Sequence, residues 1–177
     1  MTTARPLDER SAVLAAQEGD ERALTCVLHG LGERLLPLAS ALCAGNGEAD
    51  SLLADTLSRV YERIADLREP DALTAWARRV MVRQFLDQRR WFKRRPSVSI
   101  DSVEAPAAHA TSAEQIDLRR AVERLDRRDR VLLVLHYWQR VPIAECAREL
   151  GIPEGTAKSR LNAALRRLRR ELEEEDR

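Results

Sequence analysis

The stretch GIPEGTAKSRLNAALRRLRREL, Gly151 to Leu172, carries two sets of residues at helical spacing. Ala157, Leu161, Ala164, Leu165, Leu168 and Leu172 recur at steps of three and four and form an apolar stripe. Gly155, Lys158, Ser159, Asn162 and Arg166 follow similar steps on a different face. These residue types suit a DNA groove. Lys and Arg bind phosphates or guanine edges, Ser and Asn bind bases or phosphates, and Gly lets the backbone approach DNA closely. The helix N-terminus itself favours a phosphate. Arg160, Arg167, Arg169 and Arg170 add charge along the flanks. A basic helix by itself reads equally well as a solvated surface, so the residues in front of it decide.

A second candidate is WARRVMVRQFLDQRRWFKRR, Trp76 to Arg95, where Trp76, Phe85, Trp91 and Phe92 interleave with basic residues. Basic groups can follow a nucleic-acid backbone while aromatic rings stack on exposed bases, which is how single strands are held. The competing reading places Trp76 and Phe85 in the core; it is favoured for Phe85, and Trp76 suits either. Arg83 and the loop Arg68–Ala72 are better placed to meet nucleic acid.

Other chemistries find little support. Cys26, Cys43 and Cys146 form no metal-binding spacing and read as small buried hydrophobes in a reducing compartment. His29, His109 and His136 are scattered, and no Ser/His/Asp or paired-carboxylate arrangement emerges. The expectation is a protein that is not an enzyme and needs no cofactor. No apolar run approaches a membrane span, and MTTARPLDER lacks a signal peptide's apolar core, so a cytoplasmic location is expected. The formal net charge of +1 conceals a polarity. Residues 1–70 hold twelve acids against seven bases, a balance of −5, whereas residues 78–95 hold eight bases and one acid, a balance of +7. Such asymmetry suggests one surface for a polyanion and another for a different partner.

The elements that must position these residues are helices. The chain has 177 residues, 44% hydrophobic and only 4% aromatic, and Ala, Leu, Arg and Glu dominate. The pattern predicts helices over Leu7–Glu18, Glu21–Cys43 (with an interruption near Gly30–Gly32 and a bend at Pro37), Ala49–Leu67 and Leu73 to about Lys93. Leu52, Leu53, Thr56, Leu57, Val60, Tyr61 and Ile64 would be the buried side of the third. LREPDAL is expected to be a loop. Residues 96–112, rich in Pro, Ser, Thr and Ala, read as a flexible linker between two small helical domains, 8–95 and 113–174. In the second domain a helix begins near Ser112, another covers Arg127–Trp138, and Ile143–Leu150 ends at Gly151 as a left-handed cap. Pro153 would sit in the first turn of the next helix. Helix, glycine turn and helix in this order are a helix-turn-helix signature, so the fold class is all-α with a helix-turn-helix in the C-terminal domain.

This arrangement resembles the extracytoplasmic-function (ECF) sigma factors of bacterial RNA polymerase, over about Asp8 to Leu172. ADSLLADTLSRVYERIADL looks like the family's polymerase-binding helix, and DALTAWARRVMVRQFLDQRRW like its promoter-melting helix. LDRRDRVLLVLHYWQRVPIAECARELGIPEGTAKSRLNAALRRLRREL is similar to its C-terminal domain, with GTAKSRL close to the family's GTVKSRL. The resemblance implies docking on the β′ clamp coiled coil and the β flap of core RNA polymerase, with Asp50, Leu53, Asp55, Thr56 and Arg59 at the clamp. It implies capture of a flipped −10 base by the loop Leu67–Ala72 and the helix after it, through Arg68, Glu69, Asp71, Trp76, Arg79 and Arg83. It implies −35 contacts from Gly155, Thr156, Lys158, Ser159, Arg160, Asn162, Arg166 and His136. An anti-sigma factor commonly restrains such proteins. Ala54 and Ser51 depart from the family's polymerase-binding pattern, Arg83 stands where an asparagine is frequent, and Asn162 where an aromatic can occur. Two alternatives stay open: a helix-turn-helix regulator acting on duplex DNA alone, and a protein-binding helical adaptor that would leave the basic face unexplained.

Overall fold

A computed structural model describes residues 8–44, 47–87 and 113–175. Every regular element among them is helical. The expected linker 96–112 and the basic-aromatic residues 88–95, including Trp91 and Phe92, lie outside the described residues.

The described residues fall into two compact units. The first comprises residues 8–40 and 47–84. Helix α1 (Glu9–Gln17) starts at Asp8, whose carboxylate accepts the Ser11 amide at 2.9 Å as a side-chain N-cap. Helix α2 (Glu21–Cys43) follows the turn at Gly19 (φ 97°) and runs without interruption, with Pro37 inside it. The expected break near Gly30–Gly32 is absent. Burial of Leu31, Leu35, Leu38 and Ala39 outweighs the glycines' weak propensity and the one donor that proline lacks.

Helix α3 (Ala49–Arg63) ends earlier than its apolar pattern suggested, passing into a 3-10 turn at Ile64–Asp66. The LREPDAL segment contains a second 3-10 turn, Pro70–Ala72, with proline in its first position, where the missing N–H costs no bond. Helix α4 (Leu73–Asp87) follows at once. Leu52, Val60, Leu73, Ala77 and Met81 are fully buried in this unit.

The second unit contains helices α5 (Ala113–Glu123), α6 (Arg127–Leu133), α7 (Ile143–Leu150) and α8 (Glu154–Glu175). Helix α8 packs against the other three, and Ala121, Leu125, Ala164 and Leu168 form a shared apolar cluster. Arg130 is buried, and its guanidinium donates to the carbonyls of Glu123 and Leu125, satisfying acceptors at and just past the end of α5. The expected single helix Arg127–Trp138 instead changes at Val134 into a π-helical turn, Val134–Trp138, with Gln139 N–H donating to Val134 C=O at 3.1 Å. The chain then reverses through Arg140, held at φ 54°, and the His136 ring lies with Nδ1 3.0 Å from the Val141 carbonyl.

Cys26 and Tyr61 lie outside the expected core. Cys26 is exposed, whereas Cys43 and Cys146 are buried as expected. Tyr61 is 61% exposed although the periodicity placed it on the buried side of α3. The stripe Leu52, Thr56, Val60 fills that side, and Tyr61 begins the next arc of the helix, where its hydroxyl stays in water.

Candidate nucleic-acid interface

The turn between α7 and α8 is set by backbone conformation. Gly151 lies in the left-handed region (φ 64°, ψ 36°), and its N–H donates to the end of α7 while Ile152 N–H reaches Ala147 C=O at 3.0 Å. This pair of bonds closes the helix as a C-terminal motif that favours glycine. Pro153 stands just before α8, one position earlier than expected, and its carbonyl accepts the Ala157 amide at 3.0 Å.

At about 100° per residue, Gly155, Lys158, Ser159, Asn162 and Arg166 fall within an arc of about 100° on α8. All five are exposed, together with Thr156. Ala157, Leu161, Ala164 and Leu168 are buried on the opposite side. The structure therefore brings the groove-facing residues together on one continuous strip. Their present partners are weak ones. Lys158 Nζ pairs with Glu154, one turn earlier, at 2.7 Å on the surface, and the Ser159 hydroxyl donates to Thr156 C=O at 3.0 Å. Phosphates can compete with such an exposed pair.

Arg160 and His136 have other engagements. Arg160 sits about 140° from Gly155 around the helix. Its Nε is 2.7 Å from Asp129 and its terminal nitrogen 3.2 Å from Asp126. Asp126 is also the N-cap of α6, accepting the Arg128 amide at 3.0 Å. Arg160 thus ties α8 to the start of α6, on a different side of the helix from the five-residue strip. His136 is half-buried and ties its own turn through Val141.

In the first unit, Trp76, Arg79 and Arg83 share one face of α4, spaced three, four and seven residues apart. Trp76 is half-buried, while Arg79 and Arg83 are exposed. Arg79 Nε donates to Ala75 C=O at 3.2 Å, which leaves the rest of its guanidinium available. Phe85, the first residue of α4 that belongs to the second unit, is fully buried, as the core reading required. Arg68 and Glu69 are exposed in the loop before α4. Asp71 forms an ion pair with Arg10 of α1.

The residues expected at a polymerase contact are not brought onto one patch. Asp50 is exposed and Leu53 half-buried on one flank of α3; Asp55, half-buried, and Arg59, exposed and 3.7 Å from Glu62, lie on the other. Between the flanks, Thr56 is fully buried; its hydroxyl bonds Leu52 C=O at 2.7 Å and the Gln84 side chain at 2.8 Å. Thr56 therefore cannot meet a partner, because its two bonds hold α3 to α4. Helical spacing placed Thr56 on the buried side, where it lies; what its burial opposes is the clamp contact implied by the family resemblance. The solvent face of α3 instead offers Asp50, Ala54, Ser58, Tyr61 and Glu62.

Residues 115–168 match the model of sigma-70 region 4. The ECF RNA polymerase sigma factor SigM of Mycobacterium tuberculosis is 31% identical over 153 residues, covering 86% of this chain and 78% of that protein. An RNA polymerase sigma-E factor of Streptomyces avermitilis is 34% identical over 155 residues, covering 81% and 82%. The chain belongs to the ECF RNA polymerase sigma factors. Among solved structures, the sigma factor RpoE of Bartonella quintana, determined with the anti-sigma factor NepR, superposes with a TM-score of 0.66 at 25% identity, over 82% of this chain and 94% of that one. In this sigma factor, the unit built around α8 is the region 4 DNA-binding helix-turn-helix. No helix among the described residues is long and apolar enough to cross a membrane.

Proposed function

We propose that this sigma factor binds core RNA polymerase, recognises −10 and −35 promoter elements and thereby directs initiation at particular promoters. The observation that supports this best is α8, whose exposed strip of Gly155, Lys158, Ser159, Asn162 and Arg166 lies opposite a buried stripe and behind a left-handed glycine turn. That geometry suits insertion into the major groove of a −35 element, with the side chains at base edges and the helix N-terminus at a phosphate. Thr156 joins the strip; His136 and Arg160 act as supports.

Separately, Trp76, Arg79 and Arg83 on α4, with Arg68, Glu69 and Asp71 in the preceding loop, form the reader of an opened −10 strand. A flipped base costs a few kcal/mol to extract, which aromatic and polar contacts can offset. Domain 8–95 carries polymerase docking and the −10 site, 113–174 carries the −35 site, and 96–112 joins them. The docking partners are the β′ clamp coiled coil and the β flap. On α3 the contact uses the solvent face with Asp50, while Leu53, Asp55 and Arg59 lie at its margins. The protein acts in the cytoplasm, forms no covalent intermediate and requires no cofactor. An anti-sigma factor is a fitting regulator, as a relative of similar fold was solved with one.

The test is run-off transcription with purified core polymerase on promoters selected from a random library. Specific initiation that disappears on scrambling either element is the expected result. Failure to bind core, or initiation indifferent to promoter sequence, overturns the proposal.

A further inference from the structure

The loop before α4 is held by the first helix at both ends. Gln17 closes α1, and its side-chain Nε2 donates to Ile64 C=O at 2.9 Å and Leu67 C=O at 2.7 Å. An amide nitrogen has two hydrogens, so both are used. The two carbonyls bracket the 3-10 turn that follows α3; Ile64 C=O also accepts the Leu67 amide at 3.2 Å, so Gln17 adds a second donor there. Ile64 and Leu67 are buried and Gln17 is half-buried, so the amide bridge is partly sheltered from water. Arg10 lies seven residues before Gln17, two turns away on the same side of α1, and pairs with Asp71 in the second 3-10 turn. Between these anchors Arg68 and Glu69 are exposed.

We propose that Gln17 is a positioning residue for reading the −10 element: by fixing the Ile64 and Leu67 carbonyls it sets the backbone path from which the loop meets a flipped base. This rests on the assignment of Leu67–Ala72 to the −10 element. The loop's own supports are buried Leu67 and Pro70 and two short-range backbone bonds, Leu67 N–H to Ile64 C=O at 3.2 Å and Ala72 N–H to Glu69 C=O at 2.9 Å. Arg68 and Glu69, between Leu67 and Pro70, are exposed, and the Arg10–Asp71 pair is open to solvent, with side chains 51% and 68% exposed. A base pocket depends on backbone placement to a fraction of an ångström, so releasing the amide bridge blurs the pocket even where the fold survives. Gln17 touches no DNA in this scheme and acts through the loop alone.

Three variants separate the donors from the bulk. Gln17→Glu nearly preserves shape but, when ionised, turns two acceptors toward two carbonyls. Gln17→Leu keeps most of the volume without donors. Gln17→Asn keeps the donors on a chain one methylene shorter. Each is assayed as the full chain with core polymerase, in single-round transcription from a promoter that the wild type uses. Templates carry single-base changes in the −10 or the −35 element, on duplex DNA and on DNA already opened across −10. The readout is the ratio of parent to changed template, in which any inactive protein fraction cancels. Glu and Leu should lower the −10 ratio by about fivefold, the equivalent of one ordinary hydrogen bond. Asn should lower it less, and the −35 ratio should stay constant. An unchanged −10 ratio in Gln17→Glu and Gln17→Leu overturns the inference, as does an equal loss in both ratios. A wild type indifferent to −10 changes but sensitive to −35 overturns the loop assignment itself, a distinct failure visible before any variant is made.

Discussion

Gly155→Ala should raise the stability of the second unit while impairing its use of the −35 element. Gly155 lies in the first turn of α8, is exposed, and a methyl group there would meet no atom within 4 Å. Its φ is not in the left-handed region, so alanine is accepted without strain. Glycine costs a helix roughly 0.5–1 kcal/mol relative to alanine, and a first-turn position realises only part of this, so a gain of about 0.5 kcal/mol is expected. For a domain of this size that corresponds to a rise of about 2–4 °C in Tm. Function should move the other way, because a methyl group would stand between the backbone and DNA at the head of the strip. The assays are thermal unfolding and transcription from promoters with an intact or scrambled −35 element. The intact element should lose much of its advantage while a −35-independent template is unaffected. A fall in Tm would refute the described start of α8, and unchanged −35 dependence would refute the close approach of Gly155 to DNA.

Arg160→Ala should cost about 1 kcal/mol, as Asp129 and the arginine's own stem are only partly exposed while Asp126 is open to solvent, and should leave −35 base preference intact. A double-mutant cycle with Asp129→Ala measures the coupling, and independence of the two substitutions would contradict the pairing. Gly151→Ala should destabilise by about 1 kcal/mol, the left-handed penalty less the gain from a stiffer unfolded chain, since no steric clash contributes. Urea unfolding reads it, and a neutral result would mean the turn is not left-handed. The Asp8 carboxyl should titrate below its ordinary 3.8, because the Ser11 hydroxyl and amide, in that order, bond the charged form. A depressed folded-state value means the cap's contribution is fully present above the unfolded value and is lost as the pH falls through the folded one. Carboxyl NMR should show an upward shift in Ser11→Ala.

The sequence makes α8 legible because one period governs the whole helix: a register that buries Leu161 and Leu168 necessarily exposes Asn162 and Arg166. Gly151 is equally legible, since few residues other than glycine end a helix in that conformation. The bridge made by Arg160 is not legible, because its charge suits either DNA or a carboxylate and Asp126 and Asp129 lie more than thirty residues away. Thr56 is legible as a buried position from the period of α3, but its second bond is not, because Gln84 lies on another helix. Tyr61 fails because it adjoins the stripe, where one step along the helix separates the buried side from the exposed one. The end of α3 at Arg63 was invisible because Ile64 and Leu67 continue the helical period although the backbone has changed to a 3-10 turn. The exposure of Cys26 follows from its place on the outer side of α2, one residue from buried Val27.

The two proposed reading sites would therefore obtain their precision by different means. On α8, the exposed strip and the buried stripe alternate along one rigid helix, so its own core contacts fix the strip. In the other unit part of the site is a short loop between a 3-10 turn and α4, and loops hold their geometry only through what grips them. Here the grip comes from Gln17 and Arg10, some fifty and sixty residues earlier in the chain. Substitutions in α1 should thus pass into −10 reading without touching DNA, whereas α8 is seated by its own core, with side-chain bridges from Glu171 to Arg124 and from Arg160 to Asp126 and Asp129. Disturbance of the Arg160 bridge acts on the seating of the whole helix, so it should weaken all −35 contacts together. Loss of the Gln17 bridge should alter the choice among −10 bases, since it moves a loop relative to a helix face that stays in place.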